Sequence, residues 1–358
     1  MKKISILLFA VLCAALSFAK PVVVGLVDAC RTNTLCGVGN EYAAAVYESG
    51  AVPYVLPAAT NAVSIAALLD RVDMLIFCGG EDGKINPRRN AWESAIANEA
   101  TRRHMPAFGT NRQDLPPFSS AAILAIDPAK RTATPRRKLI AIPDYCPTNR
   151  QVVAKANMVA ALEQAGFVSV VIPFTDDNTR LEAALADADA LMVAGGLGPL
   201  QDYKKRCAFE HRAIRIALRR GIPISGVCHG SQIINTFFGG TLKLTPQMTN
   251  KKKKPLIRHR MPVTVPYVDN FHLADLEPGS RIARVLGSNR AVINSSHSNR
   301  SFEMGKGLKV TARAPDGVVE AFEHESLPIM AFQFHPERMA FDARFIELLR
   351  VSLSPISK

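Results

Sequence analysis

Residues 221–232 read Gly-Ile-Pro-Ile-Ser-Gly-Val-Cys-His-Gly-Ser-Gln, an apolar run followed by a cysteine between two glycines. The spacing Gly226-x-Cys228-x-Gly230 is typical of a nucleophile elbow, a sharp turn from a strand into a helix. The glycines leave room for this turn, so the cysteine sulfur is pushed into the open. The positive end of the following helix lowers the pKa of the thiol. The segment therefore predicts a strand, a reactive cysteine and a helix.

A second apolar stretch ends in Phe334-His335-Pro336-Glu337 and supplies a base for that cysteine. Glu337 follows His335 by two residues, so a turn at Pro336 is needed for the two side chains to converge. Taken alone, Cys228 would more often be a buried thiol, and His335 a surface histidine. The joint pattern instead favours a nucleophile with its base.

The composition is that of a folded protein with no nucleic-acid-binding module. With 358 residues and 48% apolar content, the chain can form one large or two ordinary domains. The formal net charge is +13, with concentrations at Lys130–Lys138 and Lys251–Lys254 that lack interleaved aromatic residues. The Lys251–Lys254 run is a solvated loop or a rim that attracts anionic envelope components.

The N-terminus resembles a secretory signal. Met1-Lys2-Lys3 is followed by the apolar run Ile4 to Leu16 and then by Ser17-Phe18-Ala19. We expect cleavage after Ala19 and a mature protein that is periplasmic or secreted. An uncleaved anchor is the alternative, but the apolar run is short for a bilayer, and no later stretch predicts a membrane span.

The sequence predicts no metal and no cofactor. The histidines form no i, i+4 pair beside acidic ligands, and no C-x-x-C pair indicates zinc. The double glycines Gly79-Gly80 and Gly195-Gly196 lack the G-x-G-x-x-G spacing of a dinucleotide loop. The sequence leaves open a disulfide bond between Cys30 and Cys36, although buried free thiols are the simpler expectation.

The chain repeats itself with an offset of 116 residues. Cys30 falls on Cys146, and Gly79-Gly80 falls on Gly195-Gly196; after one inserted residue, Glu93 falls on Glu210. Asp28 and Asp144 also recur, and a turn or cap role is favoured over a catalytic one. Each copy alternates short apolar runs with helical patterns, which predicts an α/β fold: a parallel sheet with helices on both faces.

The first copy lacks the nucleophile, because Asn111 stands where Cys228 stands in the second copy. It either covers the site or builds a pseudo-dimer. We therefore predict four segments along the chain: a signal peptide over 1–19, a degenerate non-catalytic repeat over 20–128, a linker over 129–138 and a catalytic domain over 139–353.

The second half resembles the class I glutamine amidotransferase-like proteins, and within them the γ-glutamyl-γ-aminobutyrate hydrolase group, peptidase C26. The segments that carry this resemblance are Gly226 to Asn235 with Gly239 to Leu242, Glu277 to Ser280, Ile293 to Ser298, Lys306 to Leu308, Ala314 to Glu320 and Phe332 to Glu337. Their joint spacing is more specific than any single motif.

The resemblance implies a flavodoxin-like sheet and hydrolysis of a γ-glutamyl amide through a thioester. The implied triad is Cys228, His335 and Glu337. The implied oxyanion and substrate-binding residues are Gly196, Leu197, His229, Gln232, Ser296 and His297. Backbone N–H groups at His229 and in the Gly195 to Gly198 loop would hold the oxyanion.

Two positions depart from the family pattern. His229 stands where many members carry arginine, and Leu197-Gly198-Pro199-Leu200 replaces an aspartate-containing loop. His297 either lines the substrate pocket or is bonded within its own loop. Asn294 and Ser295 could simply shape that turn.

The leading hypothesis is an exported cysteine hydrolase that acts on small γ-glutamyl amines or peptides. A catalytically silent binding or scaffold protein is the alternative from another class. A synthetase-coupled amidotransferase is disfavoured, because the chain has no nucleotide-binding pattern. Homodimer formation remains open.

Overall fold

The computed structural model describes residues 21–28, 35–58, 61–78, 87–109, 137–144, 151–196, 203–243, 257–259, 270–297 and 301–356. Contacts divide the chain into two compact units. The first comprises residues 1–189 and 198–209, and the second comprises residues 190–197 and 210–358. These units follow from contacts, whereas the predicted domains follow from the repeat, so the domain boundaries stay a prediction.

The first unit is built from strands that alternate with helices. Its strands are β1 (Val23–Val27), β2 (Leu35–Gly39), β3 (Val52–Leu56), β4 (Met74–Phe77), β5 (Ala107–Gly109), β6 (Leu139–Pro143), β7 (Gln151–Lys155) and β8 (Val168–Ile172). Its helices are α1 (Asn40–Glu48), α2 (Ala62–Leu69), α3 (Pro87–Arg102), α4 (Ala156–Gln164), α5 (Asn178–Leu185) and the start of α6 (Tyr203–Arg220).

Six of these strands lie in the order β6-β8-β3-β1-β4-β5, and β3–β8 is the antiparallel pair among them. Strands β3, β4, β6 and β8 are buried at every position. Continuous apolar runs of this kind are typical of parallel strands that are covered on both faces. Strands β2 and β7 form a separate antiparallel pair.

The elements of this unit recur with the offset found in the sequence. Strands β1, β2 and β3 begin at Val23, Leu35 and Val52, and β6, β7 and β8 begin at Leu139, Gln151 and Val168. The Asp28 carboxylate accepts a hydrogen bond from the N–H of Gly37 at 2.6 Å, and that of Asp144 accepts one from Val153 at 3.0 Å. Both aspartates thus hold the strand that follows them, as the predicted turn role requires.

The strand pairs of the first unit also follow this offset. Gly37 pairs with Val153, and Val55 pairs with Val171, so each residue faces its own equivalent. A pairing of equivalent residues is the pattern of an isologous two-fold contact. Within the first unit, strands β2 and β3 therefore pair with the strands that begin 116 residues later in the chain, β7 and β8.

The second unit combines parallel and antiparallel strands. Its strands are β9 (Ala190–Val193), β10 (Ile224–Val227), β11 (Thr241–Lys243), β12 (Asn270–Leu276), β13 (Arg290–Ser295), β14 (Ser301–Glu303), β15 (Leu308–Arg313), β16 (Val319–His324) and β17 (Ile329–Phe332). Its helices are the end of α6, α7 (His229–Phe237), α8 (Arg281–Leu286) and α9 (Ala343–Ser352), with a 3-10 turn at Pro336–Arg338.

The strand order in this unit is β9-β10-β17-β16-β15-β12-β13, with β9, β10 and β17 parallel and the remaining pairs antiparallel. The predicted α/β class with a parallel sheet is therefore confirmed. The antiparallel extension from β16 to β13 was not predicted. Because β10 and β17 are parallel neighbours, with Val227 opposite Phe332, the residues that follow them meet at one edge.

Several predicted features lie outside the described residues. These are the signal peptide, the Cys30 end of the candidate bridge, the Gly79-Gly80 pair, most of the linker, Asn111 and Leu197. Across the part of the chain that is described, every helix is too short or too polar to cross a membrane.

Candidate active site

The turn between β10 and α7 has the strained geometry of an elbow. Cys228 has φ 51° and ψ −106°, in a region that non-glycine residues rarely occupy. A Cβ atom on Gly230 would lie 1.9 Å from the carbonyl oxygen of Val193, and one on Gly226 would lie 2.7 Å from the Gly230 carbonyl group. The two glycines are therefore needed for the close packing of this turn.

Backbone hydrogen bonds hold the elbow on both sides. The N–H of Cys228 donates to the carbonyl of Phe332 at 2.7 Å, which fixes the elbow to β17. The carbonyl of Cys228 accepts from the N–H groups of Ser231 and Gln232, at 3.1 and 3.3 Å, as α7 begins. Cys228 keeps part of its surface exposed, whereas the residues that follow it are buried.

The structure brings Cys228, His335 and Glu337 together. The imidazole of His335 lies close enough to the Cys228 thiol for its charge and hydrogen bonding to lower the pKa of that thiol. On the other side of the ring, Nδ1 of His335 lies 2.7 Å from Oε1 of Glu337. The 3-10 turn at Pro336–Arg338 allows two side chains so close in sequence to face each other. Both His335 and Glu337 are buried.

The electrostatics of these groups favour a thiolate and an imidazolium. Burial raises the pKa of the Cys228 thiol. The charge and hydrogen bonding of His335 lower it, and the net result is a pKa of about 7, below the ordinary value of a thiol. Burial lowers the pKa of His335, whereas Glu337 and Cys228 together raise it to about 10. The Glu337 carboxyl has a lowered pKa, because the His335 charge outweighs the effect of burial.

The loop after β9 passes directly beside the cysteine and the histidine. A Cβ atom on Gly195 would lie 3.1 Å from Cε1 of His335 and 3.2 Å from Cβ of Cys228. Gly196 has φ 116°, a conformation that favours glycine. The backbone of this loop therefore passes close to the side chains of both Cys228 and His335.

His229 and Glu210 form a buried pair at the start of α7. Nε2 of His229 lies 2.8 Å from Oε2 of Glu210, and both side chains are almost fully buried. Glu210 lies on α6, so this pair joins the first residue of α7 to that helix. The side chain of His229 is directed into the protein, which leaves its backbone as the part that borders the site.

The remaining predicted residues lie in two places. Gln232 is buried, and its amide donates to Oε1 of Gln333 at 3.1 Å. Ser296 is half-buried, and His297 is buried with its N–H bonded to the carbonyl of His259 at 2.7 Å. The charge of His297 contributes to the lowered pKa of Cys228, so His297 lies near that cysteine.

Two segments of the chain, residues 28–113 and 140–337, match the peptidase C26 family.

The chain belongs to the peptidase C26 family.

Proteins that are similar in sequence to this chain include a candidate glutamine amidotransferase and a γ-glutamyl-γ-aminobutyrate hydrolase. A candidate glutamine amidotransferase of Mycobacterium tuberculosis is 30% identical over 216 residues, a match that spans 54% of this chain and 65% of that protein, just under two thirds. The γ-glutamyl-γ-aminobutyrate hydrolase of Escherichia coli O157:H7 is 27% identical over 196 residues, which is 49% of this chain and 75% of the relative.

Solved structures also match. A glutamine amidotransferase from Thermotoga maritima is 12% identical, with a TM-score of 0.40 over 61% of this chain and 96% of that one.

This C26 protein contains two features that the sequence did not reveal. Asn294, interpreted from the sequence as a turn residue, binds the backbone of His335 through both ends of its amide. The second feature is a histidine cluster, formed by His259, His272, His297 and Glu320. Oε1 of Glu320 lies 3.2, 3.4 and 3.4 Å from ring nitrogens of the three histidines, in that order.

The histidine cluster bears on the expectation that the protein binds no metal, which stays untested. That expectation rested on i, i+4 spacing, which detects ligands on a single helix. The cluster is instead assembled from β12, β16, the end of β13 and the described residues 257–259. One local signal in β12 could have indicated this cluster. His272 faces inward, whereas its apolar neighbours Phe271 and Leu273 are exposed, which reverses the usual pattern.

Proposed function

We propose that this C26 protein hydrolyses γ-glutamyl amide bonds with Cys228 as the nucleophile, His335 as the general acid and base, and Glu337 as the residue that orients His335. The observation that carries this proposal is the chain of contacts from the elbow cysteine through His335 to Glu337. A cysteine on a strained elbow with a lowered pKa is the arrangement that nucleophilic catalysis needs.

In the first step, the Cys228 thiolate attacks the γ-carbonyl carbon of the substrate and forms a carbon–sulfur bond. The carbonyl π electrons move to oxygen and give a tetrahedral oxyanion. The oxyanion then re-forms the carbonyl and the carbon–nitrogen bond breaks, while the His335 imidazolium gives its proton to the leaving amine. The amine departs and a γ-glutamyl thioester remains.

In the second step, water attacks the thioester. Neutral His335 takes a proton from the water as the oxygen bonds to the γ-carbon, and the carbon–sulfur bond then breaks. Glutamate leaves, and the thiolate and imidazolium are restored. Glu337 keeps Nδ1 of His335 as the donor throughout, so Nε2 is free to exchange the proton.

We propose that the oxyanion is held by the backbone N–H groups of His229 and of the loop at Gly196. Two arguments support these positions. His229 begins α7, where the backbone N–H groups and the helix dipole favour negative charge. The Gly195 backbone lies close enough to both reacting side chains that no larger residue fits without displacement.

A small γ-glutamyl amine or peptide is the substrate class that the comparisons support. The Escherichia coli relative is named for the hydrolysis of γ-glutamyl-γ-aminobutyrate, and it matches nearly half of this chain. The γ-carboxamide is the bond in question, so an α-glutamyl compound with the same leaving group should be a poor substrate.

The test measures p-nitroaniline released from γ-glutamyl-p-nitroanilide under reducing conditions, by the unaltered protein and by Cys228→Ala. A panel of γ-glutamyl amines and α-glutamyl-p-nitroanilide is assayed in parallel. We expect turnover of the γ-linked compounds that is abolished in Cys228→Ala, with an unchanged circular dichroism spectrum. Hydroxylamine should intercept the thioester and yield γ-glutamyl hydroxamate.

Absence of turnover in both proteins, together with no selective alkylation of Cys228, would support the binding or scaffold alternative. Cys207 provides a matched control for the labelling, since it too is a partly exposed free cysteine. Equal labelling of Cys207 and Cys228 would count against an activated nucleophile.

We also propose that residues 20–128 are a duplicate of the first part of the catalytic domain. The shared offset of β1 to β3 and β6 to β8, and the pairing of equivalent residues, support this. Introducing a cysteine by Asn111→Cys in a Cys228→Ala background tests whether the first copy is non-catalytic. We expect no recovery of activity, because that copy has no segment equivalent to the one carrying His335.

Export is proposed on the pattern of residues 1–19, with its basic start, apolar middle and small-residue end. To test export, the protein is expressed in a bacterium, and its mass is measured after recovery from the periplasm. A mature N-terminus near Lys20 is expected, and a product that keeps Met1 and stays in the cytoplasm would contradict export.

A further inference from the structure

We propose that His259, His272 and Glu320 bind one divalent transition-metal ion, with zinc as the best fit to their donor atoms. One ring nitrogen of His259, one ring nitrogen of His272 and one carboxylate oxygen of Glu320 all lie within 4.8 Å of one another. Two imidazoles and one carboxylate form a donor set that zinc commonly takes. Hard cations such as magnesium and calcium prefer oxygen ligands alone.

The spacing around Glu320 agrees with this chemistry. Ligand atoms that lie at zinc bond lengths in a tetrahedron are about 3.3–3.4 Å apart. Oε1 of Glu320 lies 3.2 Å from Nδ1 of His259 and 3.4 Å from Nε2 of His272. These separations exceed the 2.9 Å of the good hydrogen bonds that the same histidines make elsewhere.

The other ring nitrogen of each histidine fixes which nitrogen offers a lone pair. Nδ1 of His272 lies 2.9 Å from the carbonyl oxygen of Leu273, which can only accept, so Nδ1 carries the proton. Nε2 of His259 lies 2.9 Å from the carboxylate of Asp316, so Nε2 carries the proton there. In the neutral form of each histidine, the nitrogen with the lone pair is therefore the one that faces Glu320.

This arrangement is the one that metal-binding histidines use, with the non-ligating N–H donated to a carbonyl or a carboxylate. Without a cation, the lone pairs of His259 and His272 would face the buried carboxylate of Glu320. Both oxygens of Glu320 and Nε2 of His272 lack a well-aligned hydrogen-bond partner. A buried carboxylate in that state is costly, and a divalent cation between the three groups removes the conflict.

Ser295 and His297 border the proposed site without completing it. Oγ of Ser295 lies 3.0 Å from Nδ1 of His259 and 2.9 Å from Nε2 of His297. The serine hydroxyl can accept from His297 when the metal takes the lone pair of His259. The metal would then tie β12, β16 and residues 257–259 together beside the histidine that lies near Cys228.

The test uses the untagged full chain, treated with EDTA and desalted, so that no affinity tag contributes histidines. Zinc is titrated by calorimetry, bound metal is counted by elemental analysis, and cobalt(II) serves as a spectroscopic probe. We expect about one equivalent of zinc, a raised thermal midpoint, and visible cobalt bands typical of imidazole and carboxylate ligands. His272→Gln and Glu320→Gln should each weaken zinc binding by about 100-fold or more.

Two variants guard against other zinc sites. Cys228→Ala must retain the affinity, because a thiolate beside His335 could itself bind zinc. His104→Asn, which alters an exposed histidine at φ 53°, must also retain it.

Loss of binding in Cys228→Ala together with retention in His272→Gln would overturn the proposal, and so would an unaltered protein that binds no zinc. The second result would mean that protons, not a metal, balance the charge of Glu320. If Glu320→Gln fails to fold, the His272→Gln variant decides the matter, since His272 lies at the edge of the core and its loss is tolerated more easily.

Discussion

Asn294 holds His335 by both of its backbone polar groups. Its Oδ1 accepts from the N–H of His335 at 2.9 Å, and its Nδ2 donates to the carbonyl of His335 at 3.0 Å. Asn294 lies on β13 and His335 follows β17, so the contact joins the far antiparallel strand of the second unit to the parallel edge. The amide thereby fixes the backbone from which the imidazole projects.

Asn294→Ala should lower kcat by about 10- to 100-fold with little change in KM, because a small displacement of a reacting group is costly in rate. Steady-state kinetics on γ-glutamyl-p-nitroanilide measure both constants. Asn289→Ala is the matched control, since Asn289 is exposed just before the same strand. A normal kcat in Asn294→Ala would show that His335 is positioned by other contacts.

The alkylation rate of Cys228 should rise with pH around a midpoint of about 7, and not near the ordinary value of a thiol. The sign follows from the lowered pKa: the thiolate is present above pH 7 and is lost as the pH falls below it. The measurement is the rate of iodoacetamide labelling at each pH, read by peptide mass spectrometry. Burial raises the pKa of Cys78, so that cysteine should stay unlabelled throughout.

Glu337→Gln should lower kcat by about 100-fold or more and raise the labelling midpoint of Cys228. The glutamine keeps the shape of the side chain but removes the charge that sustains the His335 imidazolium, and that imidazolium in turn stabilises the thiolate. Labelling of the variant across the same pH range provides the measurement. An unshifted midpoint would mean that His335 does not depend on Glu337.

Gly230→Ala should destabilise the protein by about 3 kcal/mol, the upper end of the usual cost of overpacking, because the added Cβ would lie 1.9 Å from a backbone oxygen. Urea denaturation measures the free energy of unfolding. Gly221→Ala is the control, because Gly221 has a positive φ, 67°, but has open space where a Cβ would lie. This variant should lose only the free energy of the strained backbone conformation, about 1–2 kcal/mol. Equal losses would argue against the tight elbow.

Removing one member of the His229 and Glu210 pair should destabilise more than removing both. His229→Leu leaves the buried Glu210 carboxyl without this partner, at a cost of about 3–5 kcal/mol. The double variant with Glu210→Leu should recover most of that loss. A double-mutant cycle in urea tests the coupling, and additive losses would show that the two side chains are independent.

The elbow and its partners could be predicted from sequence because their geometry is local. Gly226, Cys228 and Gly230 lie within a single turn, where sterics alone restrict which residues fit. His335 and Glu337 are two residues apart, and Pro336 begins the turn between them. The parallel strands were equally predictable, since strands buried on both faces appear as unbroken apolar runs.

Gln232 has a side-chain partner that its sequence context did not indicate, and its predicted role stays a prediction. The family pattern suggested a role in substrate binding, and the structure places its amide against Gln333, on the segment that leads to His335. A side chain's partner depends on what the neighbouring strand presents, and β17 meets α7 from far away in the chain.

The sequence by itself determined the α/β class, the recurrence of strand patterns at an offset of 116 residues, the elbow at Cys228 and the His335 to Glu337 pairing. Each depends on short-range sterics or on a pattern of apolar residues that the chain displays directly. The tertiary structure alone decided that Asn294 clamps His335 and that His259, His272 and His297 surround Glu320. Those residues lie on separate segments, and they meet only because the antiparallel register of β12 to β17 fixes which side chains share the interior.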